Sequence, residues 1–219
     1  MSSKKRISVH GLEDFKDVSG KWVKSFIVTT PIEYIQNYTR AGGIWDNIQN
    51  RCRPNRACQE RWKTYKGVLN SFSDFQEFAG WCQSQYGYFE REDNGRFWSL
   101  DKDLRTDKRV YSPESCMFIP NEVNTVFINC KKFNDLPLGV YFDSNSGKFK
   151  AQIRGTAKRN LGLFWSDVDA HKAWQQAKVV QIQNLLAKYN EHLLMQEALH
   201  LKLDILQRDI AQNAITNVL

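Results

Sequence analysis

Apolar residues along the chain follow two rhythms, and the switch between them marks out the elements. From Gly42-Gly43 the positions Ile44, Trp45, Ile48 and Cys52 recur at helical spacing and run into a basic, proline-containing stretch (Arg51, Arg53, Pro54, Arg56), which predicts a helix closed by a loop. Phe72, Phe75, Phe78, Trp81 and Cys82 then repeat every three to four residues behind Ser71 or Ser73, which predicts a second helix with a serine N-cap and an aromatic face packed into a core. The first 40 or so residues mix short apolar pieces such as Phe26-Ile27-Val28 with polar ones and show no period.

Beyond these helices the rhythm shortens. Phe97-Trp98-Ser99-Leu100 reads as a strand closing on Asp101-Lys102-Asp103, and Cys116-Met117-Phe118-Ile119 reads as a second strand after a polar loop and the turn Tyr111-Ser112-Pro113-Glu114. Pro120 suits the first turn of a helix whose apolar face is Val123, Val126, Phe127 and Cys130. After a boundary at residues 131–137, Gly139-Val140-Tyr141-Phe142 and residues 148–153 alternate across the turn Asn145-Ser146-Gly147, and Leu161-Gly162-Leu163-Phe164 supplies a third short strand.

From Ser166, an N-cap followed by Asp167 and Asp169, no Gly or Pro recurs. An unbroken helix of about 45 residues would be a rod of about 70 Å. Ile182, Leu186, Tyr189 and Leu193 follow a 4-3-4 spacing, as do Leu199, Leu203, Leu206 and Ile210, with a 3-3 step through Gln196 between them. That pattern describes either a coiled-coil seam with a stammer or two helices folded back on each other. The expected fold class is α+β, with residues 1–41 an N-terminal segment, 42–132 a first domain, 133–178 a small sheet domain and 179–219 a long helix suited to joining two copies of the chain.

Composition narrows the class. At 219 residues, 42% hydrophobic and 25% charged, the chain is that of a soluble globular protein. No apolar stretch is long enough for a membrane span, and Met1-Ser2-Ser3-Lys4-Lys5-Arg6 leads into no apolar targeting segment, so a cytoplasmic protein without membrane partners is expected. Five cysteines, an odd number with no C-x-x-C pair, argue for reduced thiols rather than a disulfide framework or a zinc knuckle. The 31 Lys and Arg against 24 Asp and Glu give a net charge of +7, which turns attention to polyanions. Residues 131–160 hold seven basic and two acidic side chains, a net of +5, whereas 161–219 hold five and six. The excess charge therefore sits mainly on the predicted sheet.

Within the strand, loop, strand, helix segment, Asp101 ends the first strand and Asn124 lies one turn into the helix. A hairpin packed on that helix brings two hard oxygen ligands to one point, a pattern suited to magnesium or manganese that keeps water and substrate phosphate in the rest of its shell. The run Trp98-Ser99-Leu100-Asp101-Lys102-Asp103, followed by Tyr111-Ser112-Pro113-Glu114-Ser115-Cys116 and ending at Asn124, resembles the ββα-metal unit of the HNH endonucleases common in bacteriophages and their mobile introns. With Ile44-Trp45, Arg51-Cys52, Phe72, Phe75 and Trp81 upstream, the resemblance covers residues 42–130. It implies that Asp101 and Asn124 hold the metal against the scissile phosphate. Lys102 stands where the family often has its histidine general base, and Ser115 replaces the middle asparagine. Lysine takes a proton only where burial or a cationic neighbour lowers its pKa, so the resemblance leaves Lys102 to steady the phosphate or Asp103 to act through a bound water. The histidines (His10, His171, His192, His200) all lie outside the unit, and Tyr111 is read as packing.

Residues 138–174 resemble the Apetala-type DNA-binding domain, three strands and a helix, that is often appended to phage HNH nucleases. The resemblance implies a sheet laid in the major groove of duplex DNA. Lys148, Lys150, Gln152 and Arg154 alternate with Phe149, Ala151 and Ile153, so one strand face is charged and the other packs inward, with Lys158 and Arg159 following in the next loop. The expected function is a divalent-metal-dependent DNA endonuclease, working in the host cytoplasm if phage-encoded. A single metal site makes one cut, so cleaving both strands calls for a homodimer, for instance through the C-terminal helix, or a second event. The departures at Lys102 and Ser115 equally fit an HNH scaffold that binds DNA or a host factor without cutting.

Overall fold

The computed structural model describes residues 12–16, 22–26, 36, 39–53, 65–105, 109–128, 135–157 and 159–219. His10, Pro54, Arg56, Cys58, Cys130, most of the 131–137 boundary and Lys158 lie outside them. The fold is mixed α+β, with five helices and small sheets among the described residues, and it divides into two compact units, 1–118 and 119–219.

In the first unit β1 (Leu12–Lys16) and β2 (Trp22–Phe26) form an antiparallel hairpin with Leu12 opposite Phe26, in a stretch that has no hydrophobic period. Helix α1 (Arg40–Cys52) starts before the glycines because Thr39 caps it, its Oγ1 accepting from the Gly42 amide at 3.0 Å. After β3 (Leu69–Asn70), α2 (Phe75–Ser84) is capped by Asp74 rather than a serine, its carboxylate accepting from the Glu77 amide at 2.9 Å. Ser73 contributes in reverse, donating its amide and hydroxyl to the Glu77 carboxylate, which closes a capping box. The core is made of rings: Trp45 meets Phe78 at 5.4 Å, Phe72 meets Phe78 edge-on at 5.0 Å, and Trp81 stacks on Phe118 at 5.9 Å. Strand β4 (Ser99–Asp101) shares a two-stranded sheet with β6 (Met117–Ile119), as the two apolar runs and the turn between them predict. The loop between them carries β5 (Val110–Tyr111), which runs parallel to β3.

The second unit opens with α3 (Asn121–Phe127) and continues into an antiparallel sheet, β7 (Val140–Asp143), β8 (Lys148–Gln152) and β9 (Asn160–Phe164), in that order. Helix α4 (Asp167–Lys188) lies across one sheet face, with Val140, Ala151 and Ala170 buried between them and Phe149 and Phe164 beside them. Gly139 opens β7 at φ +75°, and a Cβ there would stand 2.0 Å from the Trp174 ring, so both backbone and packing demand glycine.

Of the two arrangements that the C-terminal spacing describes, the chain takes the folded-back pair and not the one long helix. The chain turns at Tyr189–His192 and returns as α5 (Leu193–Ala211), packed against α4. Gln196, the polar residue that interrupts the leucine spacing, ends α4: its side-chain amide donates to the carbonyls of Leu186 at 2.8 Å and Tyr189 at 2.9 Å. Ile182, Leu199, Leu203 and Leu206 are buried within the chain's own second unit.

Candidate nucleic-acid interface and metal-binding segment

The register of the three-stranded sheet sorts its side chains into two sets. Lys150 pairs with Tyr141 on β7 and Leu163 on β9, Lys148 pairs with Asp143, and Phe149 pairs with Phe142 and Phe164. Since the ring of Phe149 and the methyl of Ala151 face α4, the side chains of Lys148, Lys150 and Gln152 stand on the opposite face. There they meet residues that charge alternation does not single out. Trp165 is 79% exposed, Tyr141 47% and Leu163 45%. The Lys148 ammonium lies 4.1 Å from the centre of the Trp165 ring, a cation–π contact that leaves the flat indole beside a positive charge. Arg154 and Arg159 are exposed just beyond the strand, where the Gln181 side chain holds the Arg154 carbonyl at 2.6 Å and the Ile153 amide holds that of Arg159 at 2.9 Å. Tyr141 and Trp165 stand next to the inward-packing Val140 and Phe164, a placement that becomes a signal only once the facing of the strands is known.

In the first unit Asp101 is half-buried at the end of β4. Its Oδ1 accepts from the amides of Asp103 at 2.9 Å and Leu104 at 2.7 Å, which turns the chain sharply after the strand, and Oδ2 has no hydrogen-bond partner among the described residues. Burial pushes this carboxyl above the ordinary carboxylate range, with the two amides and Lys102 opposing and the Asp103 carboxylate adding to the rise. Lys102 is only 6% exposed, and its ammonium is 2.5 Å from Asp103 Oδ1, so the two residues assigned to proton and phosphate chemistry form an ion pair with each other.

Ser115 is fully occupied. Its hydroxyl donates to the Val110 carbonyl at 2.6 Å and accepts from the Ser112 amide at 3.0 Å, while Ser112 Oγ accepts the Ser115 amide at 3.1 Å. The Ser-Pro-Glu-Ser run thus works as a hydrogen-bonded turn that aims β6 at its partner. Tyr111 packs as expected: its buried hydroxyl accepts from Arg51 Nη1 at 2.9 Å, and burial pushes its pKa up. Burial likewise pushes the Cys116 thiol up to about 11. Cys52, Cys82 and Cys116 are free thiols.

In the second unit Asn124 is half-buried on α3, its amide bonded to the Pro120 carbonyl at 3.2 Å and its side chain without a hydrogen-bond partner among the described residues. His171 is no candidate base: Nδ1 donates to the Leu138 carbonyl at 2.9 Å and Nε2 accepts from the Thr216 amide at 3.0 Å. Among the described residues no group of three or more His, Cys, Asp and Glu converges as a metal cage would, and no helix is long and apolar enough to cross a membrane. Compared with models of protein families, with curated proteins and with solved structures, the chain matches none.

Proposed function

We propose that the protein binds double-stranded DNA through the outer face of the β7–β8–β9 sheet. The observation that carries this reading is the composition of that face: Lys148, Lys150 and Gln152 alternate with exposed Tyr141, Leu163 and Trp165 on a surface whose reverse is packed on α4. Lysines supply phosphate contacts, glutamine a bidentate group for base edges, and the rings a flat apolar contact with sugars and thymine methyls. Arg154 and Arg159 extend the positive edge. The test is fluorescence anisotropy with a labelled duplex. Lys148→Ala with Lys150→Ala is expected to weaken binding at least tenfold, and Trp165→Ala several-fold. Wild-type affinity in both would overturn the reading.

A second reading adds cleavage, on the resemblance of the β4–β6 hairpin and α3 to HNH endonucleases. Asp101 Oδ2 and the Asn124 side-chain oxygen are hard donors with no competing hydrogen bond among the described residues, and a cation would relieve the cost of a buried carboxylate. The donor chemistry of the Asp101 carboxylate therefore fits magnesium or manganese, and it is the resemblance that assigns Asn124 as a second ligand. When bound, such an ion would supply Lewis-acid polarisation of a phosphate oxygen. On the resemblance, Lys102 would donate to a phosphate oxygen and Asp103 would orient water, and an ion pair joins the two side chains. With supercoiled plasmid and either metal, the wild type is expected to nick, and Asp101→Ala and Asn124→Ala to lose nicking at least a hundredfold while still binding DNA. A plasmid left intact across metals and pH by a wild type that shifts it on a gel removes cleavage and leaves a DNA-binding scaffold.

A further inference from the structure

The first unit contains a feature that neither reading uses. Between α1 and the approach to β4 lies a cavity of about 290 Å³, at the lower end of the range for small-molecule sites. Its α1 wall is a single helix face, because Arg40, Ile44, Asn47, Ile48 and Arg51 recur at steps of four, three, one and three residues. The opposite wall is residues 97–100, with Phe97 and Ser99 among them. Two guanidiniums, one amide and one hydroxyl thus share a small space with apolar and aromatic surface, and no carboxylate lines it among the described residues.

The charge of Arg51 is not paired with a carboxylate among the described residues. Arg51 donates Nη1 to the Tyr111 hydroxyl and lies 4.8 Å over the Tyr65 ring, and these neutral groups are its partners among the described residues, so Nη2 and Nε have no acceptor. Its field reaches Cys52: burial raises that thiol's pKa, while Lys102 and Arg51 both pull it down, so two cations stand near one another on this side of the unit. Arg40 is set rigidly, its guanidinium 4.2 Å over Phe97 and 4.6 Å over Tyr88 and its Nη2 donating to the Trp98 carbonyl. A planar fork with open N–H groups beside the apolar side chains of Ile44 and Ile48 is a combination that recognises an anion attached to an apolar body.

We propose that this cavity binds one nucleoside phosphate, with the phosphate on Arg51 and the base against the isoleucines of α1. The ligand is either a free mononucleotide or a nucleotide within a strand, which share this chemistry. The site lies wholly in the first unit and stands or falls independently of DNA binding by the sheet.

The test is isothermal titration of the full chain with dAMP, with inorganic phosphate and with a short single-stranded oligonucleotide. The wild type is expected to bind dAMP at one site, more tightly than phosphate by at least fivefold. Arg51→Met, close in volume but uncharged, should weaken dAMP binding at least tenfold, and Lys150→Ala on the sheet should leave it unchanged. Because Arg51→Met also removes a partner of Tyr111, Asn47→Phe serves as a second variant: it blocks the mouth from an exposed position, leaves the Arg51–Tyr111 bond intact and should abolish binding. Oligonucleotide binding weakened in parallel would identify a strand as the source. Oligonucleotide binding unchanged, with dAMP lost, would identify a free nucleotide. No saturable dAMP binding by the wild type, or equal binding by both pocket variants, overturns the proposal.

Discussion

His171 shows how much structure one side chain can organise. It is buried in the second unit with its ring stacked on Trp174 at 5.3 Å, and each nitrogen has one partner, which fixes the neutral Nδ1-protonated tautomer. Thr216 is locked by the same cluster: its hydroxyl donates to Asp209 at 2.9 Å and accepts from Gln175 at 3.0 Å. Burial holds the His171 pKa below the ordinary histidine value, against the raising effects of the Leu138 carbonyl, Asp209 and Asp167. A base with a depressed folded pKa takes its proton more readily in the unfolded chain. Its stabilising contribution is therefore complete above a pH of about 6.5 and is lost as pH falls below that. The thermal midpoint of the second unit is expected to drop between pH 7 and pH 5, before the carboxylates titrate. In His171→Asn that slope should flatten, at a lower midpoint throughout. A wild-type midpoint level across this range would show that the ring is not the titrating group. Glu122 acts at lower pH. Burial would raise its pKa, but hydrogen bonds from Lys188 and Tyr189 outweigh burial and lower it, so its contribution fades only as pH falls through the carboxylate range.

Among the elements, the α4–α5 pair separates what periodicity can and cannot tell. Spacing puts Leu193 and Leu206 in the same apolar pattern, yet Leu206 is fully buried and Leu193 is 76% exposed. Leu206→Ala should cost about 3 kcal/mol by leaving a cavity, and Leu193→Ala less than about 0.5 kcal/mol, both read from urea unfolding. Equal losses would mean that Leu193 is covered in solution, as a pairing of two chains through this surface requires. The helix ends were legible only in part. Ser166 caps α4 as its sequence context predicts, donors at Val168 and Asp169 included. The break at residues 189–192 has no glycine or proline to announce it, and its signal was Gln196, a polar residue in an apolar seam that reads as a stammer until its amide is seen on the α4 carbonyls. The β7–β8–β9 sheet was legible because alternation and a turn signal coincide there. The β3–β5 pairing was not, since two residues from each of two distant segments carry no period. Of the candidate site residues, the sheet lysines were legible from charge, but Trp165 and Tyr141 were not, because an aromatic in an alternating strand is read as core until its exposure is known.

At the scale of the whole molecule, the net charge of +7 resolves into an uneven distribution whose densest part is residues 131–160. For a sheet face that neutralises phosphates, affinity should fall steeply with salt, by about 0.9 in the logarithmic slope for each phosphate contacted. Removing Lys148 and Lys150 should reduce that slope by about two, whereas Arg51→Met should leave the duplex slope unchanged unless the α1 cavity takes part of a strand. The measurement is duplex affinity at four or five salt concentrations for the three proteins, and a slope unaltered by loss of both lysines would move the DNA contact elsewhere. The two units also differ in what their interiors are made of. Interlocked rings from Trp45, Phe72, Phe78, Trp81 and Phe118 fill the first, whereas the second is built on α4 and α5, the two longest helices. Asymmetrically held chromophores weight the near-ultraviolet circular dichroism toward the first unit, with Trp174 contributing from the second, while far-ultraviolet dichroism is weighted toward the helices of the second. The two halves of the molecule can therefore be weighed against each other as they lose structure by comparing two colours of light, without a label on either.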